Sequence, residues 1–247
     1  PENPKLYNLL LTTPSGDKLT SYFGYRSFSV VTDKKGKKRF GLNGKPYFYN
    51  GVLDQGYWPD GLLTYPCDKA AIDELTLLKE MGFNTVRKHI KLEPARWYYH
   101  CDRLGIAVWQ DFVNGGSEYN SWHIAFLPFL GVKHKDSDYK YFAREYEEGR
   151  AEYMQMAEEI LTSLYNCVCI AVWVPFNEGW GQFDSAKVTE FVKSLDDTRI
   201  IDSVSGWHDQ GKDKTPVLSL HNYLTPLKVP HDPRPVVLSE FGGYSLK

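Results

Sequence analysis

From residue 47 onward, short apolar runs alternate with longer segments of helical periodicity. This alternation predicts parallel βαβ units, in which each strand is followed by a helix that packs on the sheet. Seven such strands are predicted, at residues 47–52, 85–87, 106–111, 170–177, 200–204, 217–220 and 236–240. No G-x-G-x-x-G motif follows any of them, which argues against a dinucleotide-binding sheet. The pattern therefore predicts an α/β fold, a (β/α)₈ barrel.

Helical patterns lie between several of these strands. They cover residues 70–81, 93–104, 141–165 and 185–195. The first helix is expected to have Asp68 as its cap and Gly82 directly after its end, because Asp accepts bonds from free backbone N–H groups and glycine terminates helices. The second is expected to end before Gly105 for the same reason.

Residues 1–44 have a different pattern, in which β-like runs are separated by polar turns such as Asn43-Gly44. Three or four strands cannot close a β-sandwich by themselves. We therefore interpret residues 1–44 as the last strands of a preceding β-sandwich and residues 45–247 as the barrel. The basic run from Lys34 to Arg39 is predicted to be a solvated hairpin turn rather than a binding patch.

A (β/α)₈ barrel needs eight strands, and seven are readable before Lys247. The sequence therefore predicts a barrel truncated after its seventh strand, with unpaired edges on its first and seventh strands. Such edges favour association with another chain. A homo-oligomer and a weak activity of this chain are both expectations.

The charge and composition limit the partners. The formal net charge is −2 with both signs mixed along the chain, which argues against nucleic-acid and membrane-surface binding. No apolar stretch reaches the ~18 residues of a membrane span, so a soluble protein is expected. The compartment stays open, with a periplasmic or secreted full-length protein among the options. Aromatic residues make up 15% of the chain, and Trp and Tyr suit carbohydrate sites because a ring face covers the apolar face of a sugar.

Polar side chains occur where the predicted strands end. Active sites of (β/α)₈ barrels lie at the carboxyl ends of the strands, whereas a core would place apolar residues there. The candidate residues at these ends are Asp54, Arg87, His89, Asp111, Asn177, Glu178, Trp207, His221, Tyr223 and Glu240. Their common position favours a functional site.

Two carboxylates stand out among these residues. Glu178 follows the apolar run at residues 170–176, and Glu240 ends the last predicted strand. A buried strand that ends in an ionisable group is costly unless that group is used or paired. Strands four and seven face each other across a barrel mouth, so both glutamates can reach one glycosidic bond. The alternative is that both are structural and pair with Arg87 or Lys88.

The motifs around these glutamates resemble signatures of glycoside hydrolase family 2, which includes β-galactosidases, β-glucuronidases and β-mannosidases. Residues 173–181 (WVPFNEGWG) resemble its acid/base signature, and residues 239–243 (SEFGG) resemble its nucleophile signature. Residues 48–52, 82–87 and 101–111 resemble its first three barrel strands. The resemblance covers nearly the whole chain. It implies a TIM-barrel catalytic domain preceded by an immunoglobulin-like β-sandwich.

The resemblance also implies a retaining β-glycosidase without a cofactor or metal, with Glu178 as the acid/base and Glu240 as the nucleophile. Asn177 would bind the sugar 2-hydroxyl, and Tyr223 would orient the nucleophile. The expected substrate-binding residues are Asp54, Arg87, His89, Asp111, Asn177, Trp180, Trp207, His221 and Tyr223. A β-galactosidase-like activity is favoured. The alternatives are β-mannosidase activity, β-glucuronidase activity and an inactive carbohydrate-binding barrel fragment.

Four histidines raise the further alternative of a metal-dependent hydrolase. They are His89, His123, His208 and His221. Such barrels usually carry His-x-His on their first strand, and residues 47–52 contain no histidine. We therefore interpret these histidines as sugar-binding or structural residues.

The connection after the third predicted strand is unusually long, from residue 112 to about residue 141. Connections in α/β units commonly have about 2–6 residues. Because it follows a strand, this loop lies on the catalytic face. It is predicted to form one wall of the substrate pocket, with Tyr119, Trp122, His123 and Phe126 as candidates. The alternative is a lid that packs on the protein's own surface.

Overall fold

The computed structural model describes residues 2–223 and 225–242. Two antiparallel units come first. A hairpin consists of β1 (Tyr7–Thr12) and β2 (Lys18–Phe23), and a three-stranded sheet consists of β3 (Phe28–Thr32), β4 (Lys38–Leu42) and β5 (Lys45–Pro46). The predicted basic turn joins β3 to β4. Its backbone is held by Asp33, whose Oδ1 accepts bonds from the N–H groups of Lys35 (2.8 Å) and Lys37 (2.9 Å).

Seven parallel strands follow in the described residues. They are β6 (Gly51–Asp54), β7 (Thr85–Lys88), β8 (Ala107–Asp111), β9 (Ile170–Val174), β10 (Ile200–Ile201), β11 (Leu218–Asn222) and β12 (Val236–Phe241). The first five pair in sequence order, and β11 pairs with β12. A cavity of about 330 Å³ is lined by both β6 and β12, so the strands curve around a common interior. The predicted parallel α/β architecture is confirmed.

Four α-helices lie between the strands in the described part of the chain. They are α1 (Asp68–Glu80), α2 (Ala95–Leu104), α3 (Glu147–Leu164) and α4 (Ser185–Leu195). As predicted, α2 ends before Gly105, which has the left-handed φ of 72° that glycine tolerates. No helix in residues 2–223 and 225–242 is long and apolar enough to cross a membrane.

The predicted cap of α1 is wrong. Cys67 occupies the N-cap position without a side-chain bond to the helix, and Asp68 lies in the first turn. The Asp68 carboxylate instead accepts a bond from Arg96 (3.2 Å) of α2. The tertiary contact has therefore replaced the local cap.

The predicted start of the third helix at residue 141 is also wrong. The Tyr141 ring stacks on His134, with ring centroids 3.9 Å apart. Arg144 donates to the Gly181 carbonyl (3.0 Å) and to Asn114 Oδ1 (2.8 Å). These contacts hold the end of the long loop in turns, so α3 begins at Glu147.

The first parallel strand begins at Gly51, four residues later than the predicted strand at residues 47–52. The Phe40 ring of β4 contacts Tyr49 (centroids 5.9 Å apart) and Trp109 (5.5 Å). Phe40 is buried in the cluster that fills the inside of the parallel strands. The segment before Gly51 thus covers the amino-terminal end of these strands. The assignment of residues 1–44 to a separate domain stays a prediction.

Candidate active site

Arg87 is the centre of the polar cluster at the carboxyl ends of the strands. Its buried guanidinium donates two bonds to the Asp111 carboxylate (2.9 and 3.0 Å), one to Glu240 Oε1 (2.9 Å) and one to Asn177 Oδ1 (2.8 Å). Burial alone would lower the pKa of Arg87, but the charges of Asp111 and Glu240 outweigh it and raise that pKa. One cation therefore joins the ends of β7, β8 and β12 and the turn after β9.

Glu240 is aimed into the cluster by an irregularity in β12. The pairing of β11 with β12 shifts between Leu220 and His221, so that Ser239 is the extra residue of a β-bulge. Bulges re-aim the following side chain. Glu240 Oε2 accepts a very short bond from the Tyr223 hydroxyl, which also lies 3.2 Å from Glu178 Oε1. Burial, followed by the bond to Glu240, raises the pKa of Tyr223.

Glu178 occupies a strained turn after β9. Its φ is 52°, a conformation that non-glycine residues adopt rarely and mostly at functional sites. Its N–H donates to the Ser205 carbonyl (2.8 Å), and its Oε1 lies 2.8 Å from His221 Nδ1. Burial raises the pKa of Glu178, but hydrogen bonds from His221, Tyr223 and Trp180 outweigh it, so the pKa is lowered.

The two carboxylates lie close together. One oxygen of Glu178, one oxygen of Glu240 and one ring nitrogen of His221 are all within 4.8 Å of one another. A trio with this spacing could in principle surround a cation. The same atoms, however, already have partners: Arg87 is bonded to Glu240, and His221 is bonded to Glu178.

Three further predicted residues surround this pair. His89 Nε2 lies 3.9 Å from Asp111 Oδ2, and both of its buried ring nitrogens have no hydrogen-bond partner in the described residues. The Trp180 ring contacts Tyr119 edge-on (4.9 Å). Trp207 lies against His221 (6.4 Å between centroids). The structure therefore brings together all predicted residues except Asp54.

Asp54 belongs to a different cluster. Its carboxylate accepts a very short bond from Lys88 Nζ, which also donates to Glu93 (2.9 Å) and lies over the Trp97 ring at 4.5 Å. Successive residues of a strand point to opposite faces, so Lys88 faces the helices while Arg87 faces the interior. The predicted site position of Asp54 is therefore corrected: it holds an ion cluster between strands and helices.

His208 is a structural residue, which is one of the two roles predicted for the histidines. It is buried, its Nδ1 accepts a bond from the His134 N–H (3.2 Å), and its ring contacts Phe142 (4.9 Å). Burial lowers the pKa of His208 to about 4. A neutral imidazole therefore packs behind the loop.

The long loop lies beside the site at two points. Tyr119 contacts Trp180, and Phe129 contacts Trp207 edge-on (4.9 Å). The loop is anchored by the buried Asp136 carboxylate, which accepts bonds from the N–H (2.9 Å) and hydroxyl (2.5 Å) of Ser185 at the start of α4. Its part in substrate binding stays a prediction.

The sequence patterns did not predict a group of buried and partly buried polar residues below the two glutamates. They are Asp202, Ser205, Ser219 and Ser239, and hydrogen bonds join them to His221. A signal was present, because strand ends with the pattern Ser-x-His at residues 219–221 and Asp-x-x-Ser at residues 202–205 are too polar for an ordinary core.

Parallel strands around a common interior, with functional side chains at their carboxyl ends, are the arrangement of (β/α)-barrel enzymes, and a pair of carboxylates is the catalytic arrangement of most glycoside hydrolases. The family model described as glycosyl hydrolases family 2, TIM barrel domain, matches residues 34–228. The chain therefore belongs to this family. Gly243, part of the second predicted signature, lies outside the described residues.

Curated relatives and solved structures have different specificities. An exo-β-D-glucosaminidase of Amycolatopsis orientalis is 32% identical over 130 residues, 47% of this chain. A β-galactosidase of Leuconostoc mesenteroides is 24% identical over 226 residues, 84% of this chain. The chain spans 12% and 19% of these two relatives. The crystal structure of a family 2 β-galacturonidase from Eisenbergiella tayi bound to glycerol superposes with a TM-score of 0.72 at 19% identity, covering 98% of this chain and 43% of that one; this likeness concerns the fold alone.

Proposed function

We propose that the protein to which this chain belongs is a retaining β-glycosidase, in which Glu240 is the nucleophile and Glu178 the acid/base. The observation that carries this proposal is the separation of the two carboxylates, of which one oxygen of Glu178 and one oxygen of Glu240 lie within 4.8 Å of each other. Retaining enzymes hold their carboxyl groups about 5–5.5 Å apart, whereas inverting enzymes need about 6.5–9.5 Å to accommodate a water molecule.

The contacts of Glu240 suit a nucleophile. A nucleophile must be ionised, and Arg87 and Tyr223 each donate to one of its carboxylate oxygens. These bonds hold the carboxylate in a fixed orientation. In the first step, Glu240 would attack the anomeric carbon while the bond to the departing oxygen breaks and Glu178 protonates that oxygen. In the second step, Glu178 would take a proton from the water that hydrolyses the glycosyl-enzyme bond.

Asn177 is arranged to contact the sugar. Its Oδ1 accepts the bond from Arg87 (2.8 Å), which orients the amide and leaves its N–H groups available as donors. A donor beside the acid/base fits the 2-hydroxyl contact that the sequence resemblance implies. Bonds to this hydroxyl that strengthen in the transition state contribute to catalysis in glycosidases.

A neutral sugar of the β-galactoside type is the proposed substrate. A cation would favour binding of a uronate, and the cations on β7 and the loop after it are already bonded to carboxylates: Arg87 to Asp111 and Glu240, and Lys88 and Lys91 to Glu93. β-Mannosides and β-glucuronides, the alternatives that the sequence resemblance leaves open, are tested beside it. An inactive carbohydrate-binding barrel is the outcome if no glycoside is cleaved.

The test is covalent labelling of the full-length protein. A panel of aryl β-glycosides identifies the sugar, and the matching 2-deoxy-2-fluoro glycoside is then expected to label a peptide that contains Glu240. Glu240→Gln is the control and should not be labelled. Labelling of another carboxylate, or cleavage with inversion at the anomeric carbon, contradicts the proposal.

A further inference from the structure

Below the two glutamates, a continuous chain of hydrogen bonds runs through the interior of the parallel strands. Asp202 Oδ2 accepts a bond from the Ser219 hydroxyl (2.9 Å), which lies 2.5 Å from the Ser239 hydroxyl. The Ser205 hydroxyl donates to Ser239 Oγ (3.2 Å), and Ser205 Oγ lies 3.0 Å from His221 Nε2. We call these five residues the hydroxyl chain. Its last member, His221, contacts Glu178 through Nδ1 (2.8 Å).

The hydroxyl chain lies where an apolar core is expected. The interior of such barrels is normally filled by branched apolar side chains. Asp202 and Ser205 have no exposed surface, and the His221 side chain has none either. The contact of Ser205 with His221 also needs a glycine beside it. A Cβ on Gly206 would lie 2.7 Å from the His221 ring, and its φ of 90° is accessible mainly to glycine.

One oxygen of the buried Asp202 carboxylate, Oδ1, has no hydrogen-bond partner in the described residues. The charged and titratable groups near it are Arg87 of β7, Asp111 of β8 and His221 of β11. Burial raises the pKa of Asp202, and Arg87 and His221 only partly offset this, so the pKa is about 6. Asp202 can therefore hold or release a proton near neutral pH.

A serine hydroxyl has one proton and donates one hydrogen bond. The hydrogen bonds of the hydroxyl chain can therefore all point toward Asp202 or all point away from it, and we call these its two polarities. When Asp202 is ionised, each hydroxyl points toward it, and His221 donates from Nε2 to Ser205. Nδ1 of the neutral imidazole is then an acceptor for a protonated Glu178. When Asp202 is protonated, every bond reverses, and Nδ1–H donates to an ionised Glu178.

We propose that the hydroxyl chain relays a proton between Asp202 and the acid/base Glu178. The proton of Asp202 passes to Ser219, each hydroxyl hands on its own proton, and His221 gains one at Nε2 while it gives the Nδ1 proton to Glu178. One proton is transferred in total, no hydroxyl is left charged, and no bond between heavy atoms changes. The members of the hydroxyl chain are positioning residues, since they act through Glu178.

This inference rests on the proposed function, and it gives Glu178 a source of protons from the interior of the parallel strands. The lowered pKa of Glu178 arises in part from donation by His221. In the polarity with an ionised Asp202, His221 accepts instead, and the protonated acid is stabilised. The other titratable groups that face Glu178 are Tyr223 and, across the site, Glu240. An intact chain should therefore keep Glu178 protonated to a higher pH.

The experiment compares three variants of the full-length protein. Ser219→Ala breaks the hydroxyl chain, and Asp202→Asn keeps the side-chain shape but removes the proton site. Ser203→Ala is the matched control, because it removes a buried hydroxyl from the same segment. This hydroxyl is bonded to Thr189 (2.6 Å) and not to the hydroxyl chain. Kinetics are measured with alkyl glycosides, which need protonation of the leaving group, and with dinitrophenyl glycosides, which do not.

Ser219→Ala and Asp202→Asn are expected to lose roughly tenfold in kcat on alkyl glycosides and less than about twofold on dinitrophenyl glycosides, with KM little changed. The alkaline limb of kcat/KM should move down by about one pH unit, a tenfold change in the proton affinity of Glu178. Ser203→Ala should change none of these. Ser219→Thr, which restores a hydroxyl, should recover the wild-type pH profile.

Equal losses on both kinds of substrate, an unshifted alkaline limb in both chain variants, or the same changes in Ser203→Ala overturn the relay. Glu178→Ala separates this outcome from failure of the proposed function. If Glu178→Ala shows the leaving-group dependence and the chain variants do not, the relay alone is wrong. If Glu178→Ala shows none, the assignment of the acid/base is wrong.

Discussion

Two adjacent cations on β7 offer a direct test of which face of the strand forms the site. Arg87 and Lys88 are both buried, and each is bonded to two carboxylates. Arg87→Gln leaves the buried Asp111 and Glu240 without this cation, whereas Lys88→Gln leaves the partly buried Asp54 without one and Glu93 with Lys91. Breaking a buried pair in this way costs about 3–5 kcal/mol. For a domain of this size, that corresponds to a drop of roughly 6–20 °C in the unfolding temperature.

The activities of the two variants should differ although both variants lose stability. Arg87→Gln removes the donor that fixes Glu240, and a displacement of about 1 Å at a reacting group costs about 10²-fold. Lys88→Gln disturbs Asp54 and Glu93 on the outer face and should keep kcat/KM within a few-fold, measured below the unfolding temperature. Arg87→Lys retains the charge, and its kcat/KM is measured instead if Arg87→Gln does not fold. If Lys88→Gln loses as much kcat/KM as Arg87→Gln, the separation of the two clusters is wrong.

Three other changes test neighbouring contacts. Tyr223→Phe removes the donor to Glu240 and should lower kcat by roughly 10²-fold with little loss of stability; an unchanged kcat would exclude this contact from catalysis. Trp122→Ala, at a half-exposed ring that stacks on Phe126, should raise KM with a modest loss of stability, and unchanged kinetics would leave the loop as a self-packed lid. For Asp202, the folded pKa of about 6 lies above the ordinary value of 3.8, so folding favours the protonated form and wild-type stability should fall by about 3 kcal/mol as pH rises from about 4 to about 6. Asp202→Asn should lack this fall in denaturant unfolding, and an equal fall in both proteins would contradict the buried charge.

The parallel strands could be predicted because their signal is local. Each apolar run is short and is bounded by polar residues, and the observed strands overlap all seven predicted ones. The errors lie where tertiary contacts override the local pattern. Tyr141 has a helix-compatible context, but its stacking on His134 keeps it in the loop. Residues 47–50 look like a strand, yet Tyr49 is used to cover Phe40.

The site was predictable to the level of strand ends, but not of strand faces. Asp54 and Arg87 both end strands, and only Arg87 points inward. The alternation of side chains along a strand supplies the missing information, because residues two apart share a face. Val86 packs against the helices, so Lys88 shares that outer face and Arg87 does not. Asp54 lies opposite Lys88 in the pairing of β6 with β7, so its side chain points to the same outer face. If only strand-end residues whose side chains point inward are counted, Asp54 is excluded from the predicted site.

The hydroxyl chain could not be predicted from strand ends, because its bonds join residues that are close only in space. Asp202 and Ser205 belong to the segment after β10, Ser219 and His221 to β11, and Ser239 to the bulge of β12. The bulge at Ser239 affects both the pair of glutamates and the hydroxyl chain below it. The same extra residue that aims Glu240 at Arg87 carries the hydroxyl that links Ser219 to Ser205. A shift of this register by one residue would reverse the faces of both side chains. The orientation of Glu240 and the continuity of the hydroxyl chain therefore depend on a single backbone irregularity.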